Sequence, residues 1–190
     1  IRKLGNDASD DLRAQGLLTS AMCKFDDDLT QEQLQEVQRM FDVMYLVDST
    51  YPIEHAQAIV DLSAKIPSAE TARVIQQFSS QSFTLLDLWK DERNADVVME
   101  ILKTLAVRGG SRASLVALDA VCEVFSGHRL LPDTADAQLI EIAQQVSSED
   151  ADAAFRRIAG FMTGMASAEE DKLGKLATMT KALTEVAGKL

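Results

Sequence analysis

Apolar side chains recur at helical spacing along nearly the whole chain, and this rhythm limits the fold more than any other feature. After Thr30 they follow one another at steps of three and four, at Leu34, Val37, Met40, Phe41, Met44 and Val47. Such steps place side chains on one face of an α-helix. Only 9 glycines and 3 prolines interrupt the 190 residues, and neither residue suits a helix interior. The sequence therefore predicts an all-α fold.

Capping residues divide the chain into about nine predicted helices. Thr30 and Gln33 have the spacing of a capping box, in which each side chain bonds the backbone amide of the other residue. Gly109 and Gly110 are expected to stop one helix, and Gly127 another, because glycine tolerates left-handed backbone angles. The predicted helices begin near Ser9, Thr30, Pro52, Ser68, Asn94, Ser111, Asp133 or Thr134, Ser147 and Ala168.

The length of the predicted helices leaves two all-α architectures open. Two successive helices occupy roughly 40 residues, which is close to the period of HEAT and armadillo arrays. No consensus recurs between the helix pairs, so a compact multi-helix bundle is the equal alternative to a short α-solenoid of this type. Residues 1–190 are expected to form a single all-helical domain. Because the chain begins at Ile1 rather than Met, we expect a fragment of a longer or processed chain.

The net charge and the length of the apolar runs argue against a nucleic-acid partner and against a membrane-spanning segment. A formal net charge of −11 repels a phosphate backbone from most of the surface, so the sequence predicts no nucleic-acid partner. A membrane-spanning helix needs about 20 consecutive apolar residues, and charged residues interrupt the apolar runs well before that length. We therefore expect no integral membrane segment. A cytoplasmic location is the expectation, and a removed N-terminal signal is the open alternative.

The residues that most often carry chemistry form no recognisable pattern in this sequence. His55 and His128 are the two histidines, and neither has the spacing of a metal ligand. Cys23 and Cys122 lie in apolar helical patterns, where free cysteine usually behaves as a small hydrophobic residue. The acidic run Asp26–Asp28 is interpreted as a solvated loop near a helix start. The sequence predicts no metal site, no cofactor and no catalytic residue.

The stretch around two glycines is the first candidate contact site. Arg108, Ser111 and Arg112 would place two guanidinium groups and a hydroxyl beside the positive end of the following helix. This set is predicted as a contact for an anion or for an acidic partner. A plain turn between two helices is the alternative, because the lysine of a phosphate-binding loop is missing.

The last predicted helix is the second candidate contact site. Its apolar residues keep an alternating spacing of three and four, which is the seam of a coiled coil. Such a seam can dock on the domain itself or on another chain, and self-association through this helix is one prediction. The seam residues are Leu176, Met179, Leu183 and Val186.

Two further patterns have a packing interpretation. Gly160 and Gly164 lie one turn apart and are expected to allow tight internal packing against another backbone. The seven methionines, which include Met162, Met165 and Met179, are interpreted as core residues, with an adaptable binding groove as the alternative.

These observations favour a protein-protein interaction or scaffold module without catalytic activity. The expected partner is another protein. One alternative is a helical enzyme or small-ligand-binding protein whose site is assembled between helices. A second alternative is a membrane-active helical protein, suggested by the amphipathic segments near Phe161 and Leu176.

Overall fold

The fold was obtained as a computed structural model that describes residues 29–30, 32, 33, 35, 60–80, 92–127, 132, 134–165 and 171–190. These residues contain α-helices and no strand, so the predicted all-α class is confirmed. Residues 60–63 are helical. The further helices are α1 (Thr71–Ser80), α2 (Glu92–Gly127), α3 (Ala135–Gln144), α4 (Ala151–Met165) and α5 (Asp171–Ala187). The predicted helix starts near Ser9 and Pro52 lie outside the described residues.

Several predicted helix boundaries are present in the structure. Thr30 N–H donates to Gln33 Oε1 at 2.8 Å, and Gln33 N–H donates to Thr30 Oγ1 at 3.3 Å. This reciprocal pair confirms the predicted capping box. Thr134 is the N-cap of α3, but its hydroxyl donates to Asp96 Oδ1 at 2.7 Å instead of capping its own helix. The position of the helix start was therefore predictable, while the partner of its side chain was not.

The two glycines in α2 have different roles. The sequence predicts that one helix stops here and another begins, and the helical backbone is indeed interrupted at Gly110, so that α2 consists of two helical halves joined by a kink. Gly110 has a φ of 66° and a ψ of −150°, a combination that only glycine adopts readily. Gly109 has no positive φ. A Cβ placed on Gly109 would lie 1.8 Å from Thr71 Oγ1 and 2.5 Å from Ala113 Cβ, so this glycine allows α1 to approach α2 closely.

The apolar core lies along both halves of α2. This helix contacts α1, α3 and α4, while α5 packs against α3 and α4. Burying these side chains supplies most of the free energy that stabilises such a domain. Within the described residues, no helix is both long and apolar enough to cross a membrane. Fully buried core residues include Met99, Ile101, Leu102, Leu105, Leu118, Leu139, Ile158, Met179 and Val186.

Helix α3 runs in the same direction as the first half of α2. Near its start, Thr134 donates to Asp96, and one turn later Gln138 Nε2 donates to Glu100 Oε2 at 2.9 Å. The two contacts occur in the same order along both helices, so the helices are parallel. The paired residues are 38 positions apart in the sequence.

Two other helix pairs have the same parallel arrangement. Near the start of the second half of α2, Ser111 bonds Asp150, which lies just before α4. Two turns later, Asp119 bonds Arg157 inside α4. Asp136 near the start of α3 contacts Thr178 of α5, while the chain after α3 contacts the chain after α5. These hydrogen bonds join residues 38 to 43 positions apart.

Candidate functional site

Three residues form a hydrogen-bonded cluster at the kink of α2. Ser147 N–H donates to Ser111 Oγ at 2.9 Å, and the Ser111 hydroxyl donates to the Asp150 carboxylate. The Ser147 hydroxyl also reaches Asp150 Oδ2, at 3.2 Å. We call Ser111, Ser147 and Asp150 the kink cluster. It adds a residue of α2 to the hydrogen-bonded pair Ser147 and Asp150 just before α4, and so fixes the start of α4 to the kink.

The other two residues of the predicted anion contact point elsewhere. Arg108 Nε donates to the carbonyl oxygen of Ile66, a buried residue in the turn before Pro67. The side chain of Arg112 is exposed. The structure therefore brings Arg108 to one turn and Ser111 to another. The Ser111 hydroxyl already donates a hydrogen bond to the Asp150 carboxylate. The anion contact at Arg108, Ser111 and Arg112 stays a prediction.

The apolar seam of the last helix is used, at least in part, inside the domain. Met179 and Val186 are buried in the core, and Leu176 and Leu183 are half-buried. Leu190, beyond the end of α5, is 68% exposed. The seam thus packs on α3 and α4, which is one of the two roles expected for it. Self-association through the seam stays a prediction.

A buried lysine holds the beginning of α5. Lys175 is 4% exposed, and its Nζ donates to the Phe125 carbonyl oxygen at 2.7 Å. The same Nζ lies 6.0 Å from the centroid of the Phe125 ring. Carbonyl groups in the last turn of a helix have no partner within that helix. The positive charge of Lys175 therefore stabilises the C-terminal end of α2.

A second lysine holds the chain after α5. Lys189 Nζ donates to the carbonyl oxygens of Ala143 at 3.1 Å, Gln144 at 2.6 Å and Val146 at 2.6 Å. These carbonyls belong to the C-terminal end of α3 and the turn that follows it. The two lysines near the ends of α5 thus satisfy acceptors at the ends of two other helices.

Between the two lysines, α5 is joined to α3 by an acidic side chain. Asp136, in the first turn of α3, accepts hydrogen bonds from Lys181 Nζ and Thr178 Oγ1. The hydrogen bond from Lys181 is the largest cause of a lowered pKa for the Asp136 carboxyl, and the bond from Thr178 is the second. Both contacts favour the charged form of the carboxyl group.

An ion pair between α2 and α4 lies beside a cysteine. Arg157 Nη1 bonds the Asp119 carboxylate and donates to the Leu115 carbonyl oxygen at 3.0 Å. Burial raises the pKa of the Asp119 carboxyl, although Arg157 opposes this effect. Burial, helped by the negative charge of Asp119, raises the pKa of the Cys122 thiol to about 12. Cys122 therefore stays protonated near neutral pH, as expected of a small core residue.

Several residues considered for metal or catalytic roles lie outside the described residues. They are Cys23, Asp26–Asp28, His55 and His128. Among the residues that the structure describes, no three His, Cys, Asp or Glu side chains are grouped so that they could hold a metal ion. In the same part of the chain, each buried side-chain polar atom has a hydrogen-bond partner.

The predicted role of two glycines in α4 is wrong. Gly160 and Gly164 are exposed, and no described atom lies within 4 Å of a Cβ added to either one. They therefore do not serve tight internal packing. Of the methionines considered with them, Met179 is buried in the core and Met162 is half-buried.

Comparison of the chain with protein-family models, with curated protein sequences and with solved structures found no match.

Proposed function

We propose that the chain is a protein-protein interaction or scaffold module whose helices, about nine in all, stack as a short α-solenoid. The observation that supports this architecture is the regular sequence separation of the contacts between parallel helices. The hydrogen bonds that join α2 to α3, α2 to α4 and α3 to α5 within one layer connect residues 36 to 46 positions apart. A helix pair of about 40 residues would repeat at this distance.

In a stack of helix pairs, equivalent helices of successive pairs lie side by side and run in the same direction. We assign the first half of α2, α3 and α5 to one layer of the stack. The second half of α2 and α4, together with α1, then form the other layer. The parallel contacts described above lie within these layers, as does the close approach of Thr71 in α1 to Ala113 in the second half of α2.

The turns between helices also contact one another at the same interval. Leu29 N–H donates to the Lys65 carbonyl oxygen at 2.9 Å. Further along the chain, Arg108 bonds the Ile66 carbonyl, Ser147 bonds Ser111, and Lys189 bonds the Val146 carbonyl. These contacts support an array in which each turn packs on the turn of the next pair. The packing of a compact bundle gives no physical reason for such contacts to recur at separations of 36 to 43 positions.

The polar groups inside the fold support a structural role for this array. Gln138 bonds Glu100, Thr178 bonds Asp136, and Lys175 bonds the end of α2. These buried side chains therefore join one helix to another. Stacked helices leave a long outer surface on each layer, and arrays use such surfaces to bind other proteins.

The architecture is tested by removing residues 168–190. In a stacked array each pair contacts mainly its neighbours. The shortened chain should therefore keep a helical circular dichroism signal and the amide protection of residues 60–80 and 92–121, a set that leaves out Phe125, the partner of Lys175. In a compact bundle, loss of Met179 and Val186 would open the common core and expose the whole chain to exchange. Uniform loss of protection would therefore overturn the solenoid assignment.

The full chain and the chain without residues 168–190 also test self-association. Light scattering should give one monomer mass for each chain if the seam is used only within the domain. A dimer mass for the full chain that disappears on removal of residues 168–190, with folding retained, would instead assign the last helix to an interface between copies.

The interaction function is tested with charge changes confined to exposed residues of one layer. One variant carries Arg112→Glu and Arg156→Glu, and a matched variant carries Glu141→Arg and Thr184→Arg; all four positions are exposed. We expect affinity capture from the native source to recover a partner protein with the parent chain and to lose it with one variant only. Recovery of no partner by the folded parent chain contradicts the proposed function, and equal recovery by both variants excludes these faces as the contact.

A further inference from the structure

We draw no further inference here: the strongest candidate, the side-chain cluster of Arg108, Ser111 and Arg112 at the kink of α2, is a helix N-terminus whose Arg108 and Ser111 already bond within the fold, and no second observation points to an anion bound there.

Discussion

The kink of α2 and the last helix are both held to neighbouring helices, but by different kinds of contact. At the kink, the absence of a side chain on Gly109 allows Thr71 of α1 to approach, and the Ser111 hydroxyl accepts a separate hydrogen bond from Ser147 N–H, just before α4. Along α5, Lys175 and Lys189 bond carbonyl oxygens, and Lys181 bonds a carboxylate. The first contact depends on volume and the second on charge. The two regions should therefore respond differently to added methyl groups and to pH.

The largest effect is expected from Gly109→Ala. The added Cβ would overlap Thr71 Oγ1 and Ala113 Cβ, and overpacking of this kind costs about 2–3 kcal/mol. Urea unfolding at neutral pH should show this loss in the free energy of unfolding. The parent and the variant should keep the same helical circular dichroism before unfolding begins.

Two other glycines separate steric overlap from backbone strain. Gly110→Ala meets no atom within 4 Å but must adopt a φ of 66°, so it should cost about 1–3 kcal/mol. Gly160→Ala is the matched control, since it is helical, exposed and uncrowded. It should leave stability unchanged or raise it by up to about 1 kcal/mol. A Gly109→Ala protein as stable as the Gly160→Ala protein would show that α1 does not need this close approach.

A smaller loss is expected from Lys175→Met. The change keeps an apolar side chain of similar length but removes the donor to the Phe125 carbonyl, in a place that is closed to water. Loss of a buried hydrogen bond from a charged donor costs about 1–3 kcal/mol.

Lys189→Met is the matched change at the other end of α5. Lys189 is only half-buried, so water can replace the lost donor, and the cost should stay below about 1 kcal/mol. Chemical denaturation of both variants at pH 7 measures the difference. A larger loss for Lys189→Met than for Lys175→Met would contradict the importance of burial at Lys175.

Asp136→Asn tests the part of the α5 contact that depends on charge. Because the folded-state pKa of Asp136 is lowered, the charged carboxyl stabilises the fold above its ordinary pKa of about 3.9, and this contribution is lost as the pH falls further. Partial exposure limits the expected cost of the variant at pH 7 to about 0.5–1 kcal/mol.

Stability curves of the parent and Asp136→Asn proteins at several pH values give the measurement. The difference between their free energies of unfolding should be constant near neutral pH and should disappear in acid. Asp152→Asn is the control, because its ion pair with Arg156 lies on the surface of one helix and should matter by only about 0.3 kcal/mol. A gap that persists at the lowest pH would assign the effect of Asp136→Asn to packing rather than to charge.

The last test measures the reactivity of the Cys122 thiol rather than the stability of the fold. In a Cys23→Ser protein, a thiol pKa of about 12 leaves about one thiolate in ten thousand at pH 8, so an aromatic disulfide reagent should react far more slowly than with an ordinary cysteine. Unfolding in urea should restore the ordinary rate. Addition of Asp119→Asn should speed the native reaction, since the negative charge of Asp119 raises this pKa. Rapid labelling of the folded Cys23→Ser protein would contradict the burial of Cys122.

Features that depend on neighbouring residues were predictable from the sequence. The capping box of Thr30 and Gln33, the N-cap position of Thr134 and the left-handed backbone at Gly110 each follow from residues within one helical turn. The structure of a helix end depends on nearby residues, because its unpaired backbone N–H and C=O groups need hydrogen-bond partners close by.

Features that depend on distant residues were missed or misassigned. Nothing beside Lys175 in the sequence indicates that its amine caps a helix 50 positions earlier. Gly109 and Gly160 occur in similar helical surroundings, yet only the first faces another helix closely. The residues of the predicted anion contact were chosen for their closeness in sequence, and the structure turns Arg108 and Ser111 toward different turns.

The amino-acid sequence alone determined that this chain forms helices, where several of them begin and end, and which faces are apolar, because backbone hydrogen bonds and side-chain periodicity act over a few residues. Only the tertiary structure decided which helices run side by side and which polar groups meet. Those contacts join residues 36 to 50 positions apart, and such a pair is fixed by packing of the whole core rather than by its own neighbours.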